Sequence, residues 1–177
     1  MDARRLHSFV CRRASGRSAR HHALNDLVAR CFASAETPVI KEPTGLFCTD
    51  GKRPDILTLV PRQSGKSLCW DVTVICSLAE SYVTGSAREA GAAAELAASR
   101  KEEKYASIGS EYRFAPIAVE TLGPMNTSAP QLFANLGRKI SASGDDREGA
   151  FLFQRVSVLV QRYYVLHDAL PAADCTD

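Results

Sequence analysis

Two aspartates, Asp55 and Asp71, are the residues of this chain best placed to do chemistry. Asp55 follows Arg53-Pro54 at the head of a run ending Ile56-Leu57-Thr58-Leu59-Val60, which reads as a strand. Asp71 interrupts Leu68-Cys69-Trp70-Asp71-Val72-Thr73-Val74-Ile75, where β-branched and aromatic residues predict a second strand over 67–75. Pro61 to Gly65 carries turn signals between them, so the runs are expected to form an antiparallel hairpin with the two carboxylates facing each other. Carboxylates a few ångströms apart repel, which raises the affinity of that spot for a hard divalent cation with oxygen ligands. Mg²⁺ or Mn²⁺ held there would lower the pKa of a water for attack on a phosphodiester and stabilise charge on the phosphoryl oxygens. Asp71 is the stronger signal, because an acid in a core strand is costly unless it meets a metal or a paired donor. The ordinary alternative is a loop cap, or a salt bridge to Lys66 or Arg53.

The segments around this hairpin read as follows. Leu24, Leu27, Val28, Cys31 and Phe32 recur at helical spacing, predicting an amphipathic helix over 21–32, and Val39-Ile40 could start a short strand. Residues 86–106 are dominated by Ala, Glu, Arg and Lys and predict one long helix with Gly91 as its only interior blemish. Residues 111–122 read as a buried strand ended by Gly123-Pro124, and 129–141 as a helix. The last segment, 147–166, fits both a helical stripe and a strand alternation, and its length favours a helix. The expected class is α/β: three layers, a central mixed sheet flanked by helices.

Composition supports one domain of ordinary size: 177 residues, 45% hydrophobic and 24% charged. The expected organisation is a basic arm over 1–19, a body over 20–170 and a disordered tail over 171–177. No apolar run approaches the roughly 20 residues that cross a bilayer, and no apolar signal core follows the arginines, so an intracellular protein without a membrane partner is expected. Six cysteines without a CxxC pair read as reduced thiols, with Cys31, Cys69 and Cys76 as core residues. Net charge is only +2, but the first 22 residues set six arginines against the single acid Asp2. That arm would attract a phosphate backbone, with Arg12, Arg13, Arg17 and Arg20 as contacts and Arg53 as another near the acids; it reads equally as a solvated tail. Gly51-Lys52 and Gly65-Lys66 lack the rest of a phosphate loop. None of the four histidines sits beside a nucleophile in a hydrolase signature. His7 and Cys11 alone cannot make a tetrahedral zinc site.

Arg53-Pro54-Asp55, the hairpin, Asp71-Val72-Thr73-Val74 and the downstream Lys101-Glu102-Glu103-Lys104-Tyr105 resemble the restriction-like endonuclease of non-LTR retrotransposons, a branch of the PD-(D/E)XK fold. Arg20-His21-His22-Ala23-Leu24-Asn25-Asp26, Val119-Glu120-Thr121-Leu122-Gly123 and Gln154-Arg155-Val156-Ser157-Val158 extend that resemblance over most of the body. It implies that Asp55 and Asp71 hold the metal and that the substrate is DNA, nicked to prime reverse transcription, which suits a nuclear location. The usual lysine two residues after the second acid is replaced by Thr73, and the resemblance implies one from the following helix, Lys101 or Lys104, with Lys104 beside Tyr105 the better match. Glu36, Glu42 and Glu120 could complete the metal shell, and Glu120, in an apolar strand context, is the foremost of them. The HxxxC spacing of His7 and Cys11 is similar to the end of a zinc knuckle, implying a truncated remnant of a longer polyprotein. The alternative is a nucleic-acid-binding module of the same fold without turnover.

Overall fold

The structure is a computed structural model of the chain, describing residues 15–47, 51, 53–61, 65–108, 111–142 and 148–169. Most of the basic arm, the Cys48–Asp50 loop and the acidic tail lie outside these residues, as do His7, Cys11, Arg12 and Arg13.

The elements run α1 (Ser15–Ser34), β1 (Val39–Lys41), β2 (Ile56–Thr58), β3 (Ser67–Ile75), α2 (Glu80–Ser86), α3 (Ala92–Lys104), a 3₁₀ turn (Ala106–Ile108), β4 (Tyr112–Glu120), α4 (Ser128–Ser141) and α5 (Glu148–Ala169). The fold is α/β with a four-stranded mixed sheet in the order β1-β2-β3-β4. β1, β2 and β3 pair antiparallel, and β3 pairs parallel with β4 after the α2–α3 crossover. Pro116 lies in β4, an edge strand, where a missing N–H is tolerated.

Alternation along β3 divides the core. Leu68, Trp70, Val72 and Val74 join Leu24, Leu27, Val28 and Phe32 of α1, Phe133 and Leu136 of α4, and Leu152, Val156 and Val160 of α5. Trp70 is fully buried and stacks on Phe32 with centroids 4.4 Å apart. On the opposite face Ile75 and Ala118 meet Ala93, Ala94, Ala97 and Ala98 of α3, while Cys69 packs with Tyr105 and Ile108. Three layers result, with α1, α4 and α5 on one side of the sheet and α2 and α3 on the other. The buried residues that α3 contributes to this contact are all alanines.

Several expectations change in detail. The single helix over 86–106 is two helices: residues 87–91 turn, and Gly91, at φ 91°, sits in the left-handed region immediately before α3. A carboxylate receives the N–H groups of Ala93 and Ala94, which fixes the start of α3 there rather than at Ser86. β2 is shorter than the run 53–60, because pairing with β3 covers only Ile56 and Leu57 and its neighbour β1 is three residues long. The segment at the end is a helix, as its length requires, over Glu148–Ala169. Among the described residues no helix is long and apolar enough to cross a membrane.

Candidate metal centre

The β2–β3 ladder pairs Ile56 with Trp70, and the Asp55 N–H donates to the Trp70 carbonyl at 3.0 Å, so the ladder's register runs on to set Asp55 opposite Asp71. The expected facing of the two acids is thus present. α1 adds a third group: a nitrogen of His21 and an oxygen each of Asp55 and Asp71 all lie within 4.8 Å of one another.

Each carboxylate has its own set of donors. Oδ2 of Asp55 receives the Val72 N–H at 2.7 Å and the Asn25 amide at 3.0 Å, and lies 3.1 Å from His21 Nε2. His21 and Asn25 are four residues apart on α1, one turn, which brings both to the same carboxylate. Asn25 Oδ1 is buried and has no hydrogen-bond partner, so the side chain serves Asp55 as a donor. All three contacts fall on Oδ2 of Asp55.

Asp71 is buried, at 5% exposure. Lys101 Nζ donates to both of its oxygens at 2.7 Å, and the Tyr105 hydroxyl lies 2.7 Å from Oδ2 and 2.9 Å from the Arg53 carbonyl. Lys101 follows Ala97 and Ala98 by four and three residues, so it continues the stripe that packs on the sheet. That placement delivers its ammonium to Asp71. Lys104, favoured from sequence for this role, instead lies over the Tyr105 ring at 4.7 Å from its centroid and 3.3 Å from its hydroxyl.

The electrostatics follow from this wiring. Hydrogen bonding to Asp55 raises the His21 pKa above its ordinary 6.5, outweighing burial. Burial works to raise Asp55, but the donors from His21, Asn25 and Val72 prevail and hold it below the usual carboxylate value. Asp71 is pushed up by burial and then by the charge of Asp55, with Lys101 opposing. Two acids on adjacent strands thus titrate in opposite directions. The donor set fits a metal ion: two carboxylates supply hard oxygens and His21 an imidazole nitrogen. This His/Asp/Asp group, of which Asp71 is buried, could hold a metal ion. Such an ion would have to share Asp71 with Lys101.

The other residues singled out by sequence lie elsewhere. Glu120 pairs in register with Ile75, four residues along β3 from Asp71; it accepts from Ser77 and from the first N–H groups of α3, so it caps a helix instead of completing the shell. Glu36 and Glu42 occupy left-handed turn positions, and Glu42 pairs with Arg53. Arg17 lies in the first turns of α1, and Arg20, a few residues on, is buried at 5% exposure beside His21. Sequence reading missed His21, Asn25 and Tyr105 as members of the cluster; the one-turn spacing of His21 and Asn25 was the available signal for two of them. Comparison with protein-family models and with curated proteins returned no match.

Proposed function

We propose that this protein is a metal-dependent DNA endonuclease of the PD-(D/E)XK type, as the resemblance in its sequence implies. The observation that carries the reading is the pairing of Asp55 and Asp71 across β2 and β3 with the ammonium of Lys101, from the following helix, on both oxygens of Asp71. A bound Mg²⁺ or Mn²⁺ would supply a water of lowered pKa and neutralise charge building on the phosphoryl oxygens. The chain's own residues do the rest. Asp55 is held through Oδ2 by His21, Asn25 and the Val72 N–H. Tyr105 and Lys101 hold the Asp71 carboxylate in one orientation. Lys101 takes the part that Thr73 cannot, placing a positive charge where charge develops on the phosphate. A second reading, a nucleic-acid-binding module without turnover, is favoured by the same ion pair, because Lys101 already neutralises Asp71 with no cation needed.

Nicking of supercoiled plasmid separates the two. With Mg²⁺ or Mn²⁺ the wild type is expected to nick and chelator to stop it, while Asp55→Ala and Asp71→Ala lose activity and Lys101→Met loses most of it. No nicking, or nicking that persists in both aspartate variants, would reject the endonuclease.

A further inference from the structure

α1 packs against α5, and between the two helices runs a groove of about 390 Å³. Its walls follow helical spacing. Ala23, Leu27 and Arg30 of α1 recur at i, i+4 and i+7, and Arg155, Val158 and Arg162 of α5 at i, i+3 and i+7, so each helix turns one stripe to the groove. The metal centre lies on another side of α1: His21 and Asn25, which hold Asp55, each precede a groove residue by two positions, a rotation of about 200° around the helix axis. The floor is apolar, with Leu27 buried and Val158 59% exposed. Every charged residue lining the groove is an arginine. Among the described residues no acid lines it, and no side-chain hydrogen bond, ion pair or ring contact engages the guanidinium of Arg30, Arg155 or Arg162.

We infer that this groove docks an acidic amphipathic helix of a partner protein. The inference stands apart from the endonuclease reading. An apolar floor between cationic walls is complementary to a helix with an apolar stripe at i, i+4 and i+7 and carboxylates on both flanks of that stripe. Arg30 meets one flank; Arg155 and Arg162, about 10 Å apart along α5, meet the other. A guanidinium fork takes both oxygens of a carboxylate and sheds its water more readily than an ammonium does. The composition agrees. Arginine and tyrosine are enriched where proteins meet, and lysine, aspartate and glutamate depleted; the groove holds three arginines and Tyr163 and none of those three types. A phosphate backbone would satisfy the arginines but leave Val158 and the apolar floor in water, so a nucleic-acid strand matches the charge alone, whereas an exposed apolar patch with a polar rim marks a protein contact.

The test is fluorescence anisotropy with three labelled probes: a designed helix with leucines at i, i+4 and i+7 and glutamates on both flanks, the same helix with glutamine for every glutamate, and a short DNA duplex. The full chain should bind the acidic helix in a salt-dependent way and the glutamine helix about ten-fold more weakly. The double variant Arg155→Gln/Arg162→Gln and, separately, Val158→Asp change only exposed positions, so both should fold. Each should weaken the acidic helix by about ten-fold, the scale of an interface anchor, and leave duplex affinity unchanged. Failure of wild type to bind the acidic helix, equal binding of the two helices, or unchanged affinity in both variants would overturn the proposal. So would a duplex that displaces the helix and loses affinity equally in the arginine variant, which would make the groove a nucleic-acid surface. Sedimentation of the chain alone covers the remaining occupant: a dimer that dissociates in Val158→Asp would place a second copy there instead. Plasmid nicking by wild type, or its absence, bears on the endonuclease alone and leaves the groove untouched.

Discussion

At Asp55 three donors converge on one oxygen, and the consequence reaches beyond local geometry. The folded pKa of His21 is raised, so its bond to Asp55 stabilises in full below about 6.5 and fades as pH rises through the elevated value. The folded pKa of Asp55 is lowered, so its contribution is present above the usual carboxylate range and is lost as pH falls through the depressed value. The pair stabilises the fold in the window between. Asp71 works against this: its raised pKa means that its charged form costs stability above that value. Thermal melts of chelated protein across pH are expected to show the alkaline loss, and His21→Gln to remove it; an unchanged alkaline limb in that variant would refute the assignment. Of this cluster the sequence exposes the two aspartates, because an acid in an apolar strand advertises its cost. It hides His21, since a histidine near a helix start is common and only the tertiary approach of α1 to β3 gives it a partner. The choice between Lys101 and Lys104 was likewise beyond reading, being decided by which lysine continues the alanine stripe.

α3 shows how an element can be read correctly by composition and still be misbounded. Alanine, glutamate and lysine foretell helix over 86–106, yet the chain breaks before Ala92. The break depends on a long-range contact: Glu120, at the end of β4, receives the N–H groups of Ala93 and Ala94. No local pattern encodes that meeting. Glu120→Ala should therefore cost about 1–3 kcal/mol, the range for leaving buried donors unmet, while divalent-cation affinity stays unchanged. Urea melts and calorimetric titration with Mn²⁺ check the two halves, and a loss of cation affinity without a loss of stability would return Glu120 to the metal shell. The hairpin fared better, since β-branched runs flanking a turn are local signals, and β3 spans 67–75 as expected.

Across the whole molecule the periodicities that identify a three-layer α/β fold were legible, whereas strand order and the parallel β3–β4 pairing depend on contacts the chain makes only when folded. The larger core layer is organised around β3, and Phe32→Ala, which strips Trp70 of its stacked partner, is expected to cost about 3–5 kcal/mol by the usual scale for aromatic truncation in a core. A chemical denaturation midpoint that barely moves would contradict that weight. Trp70 has a further significance. It is the sole tryptophan of the chain, sealed from water, and covalently adjacent to Asp71. Its emission is therefore a native optical gauge of one address: loosening of the α1 packing against β3 reports through a single indole, without any label.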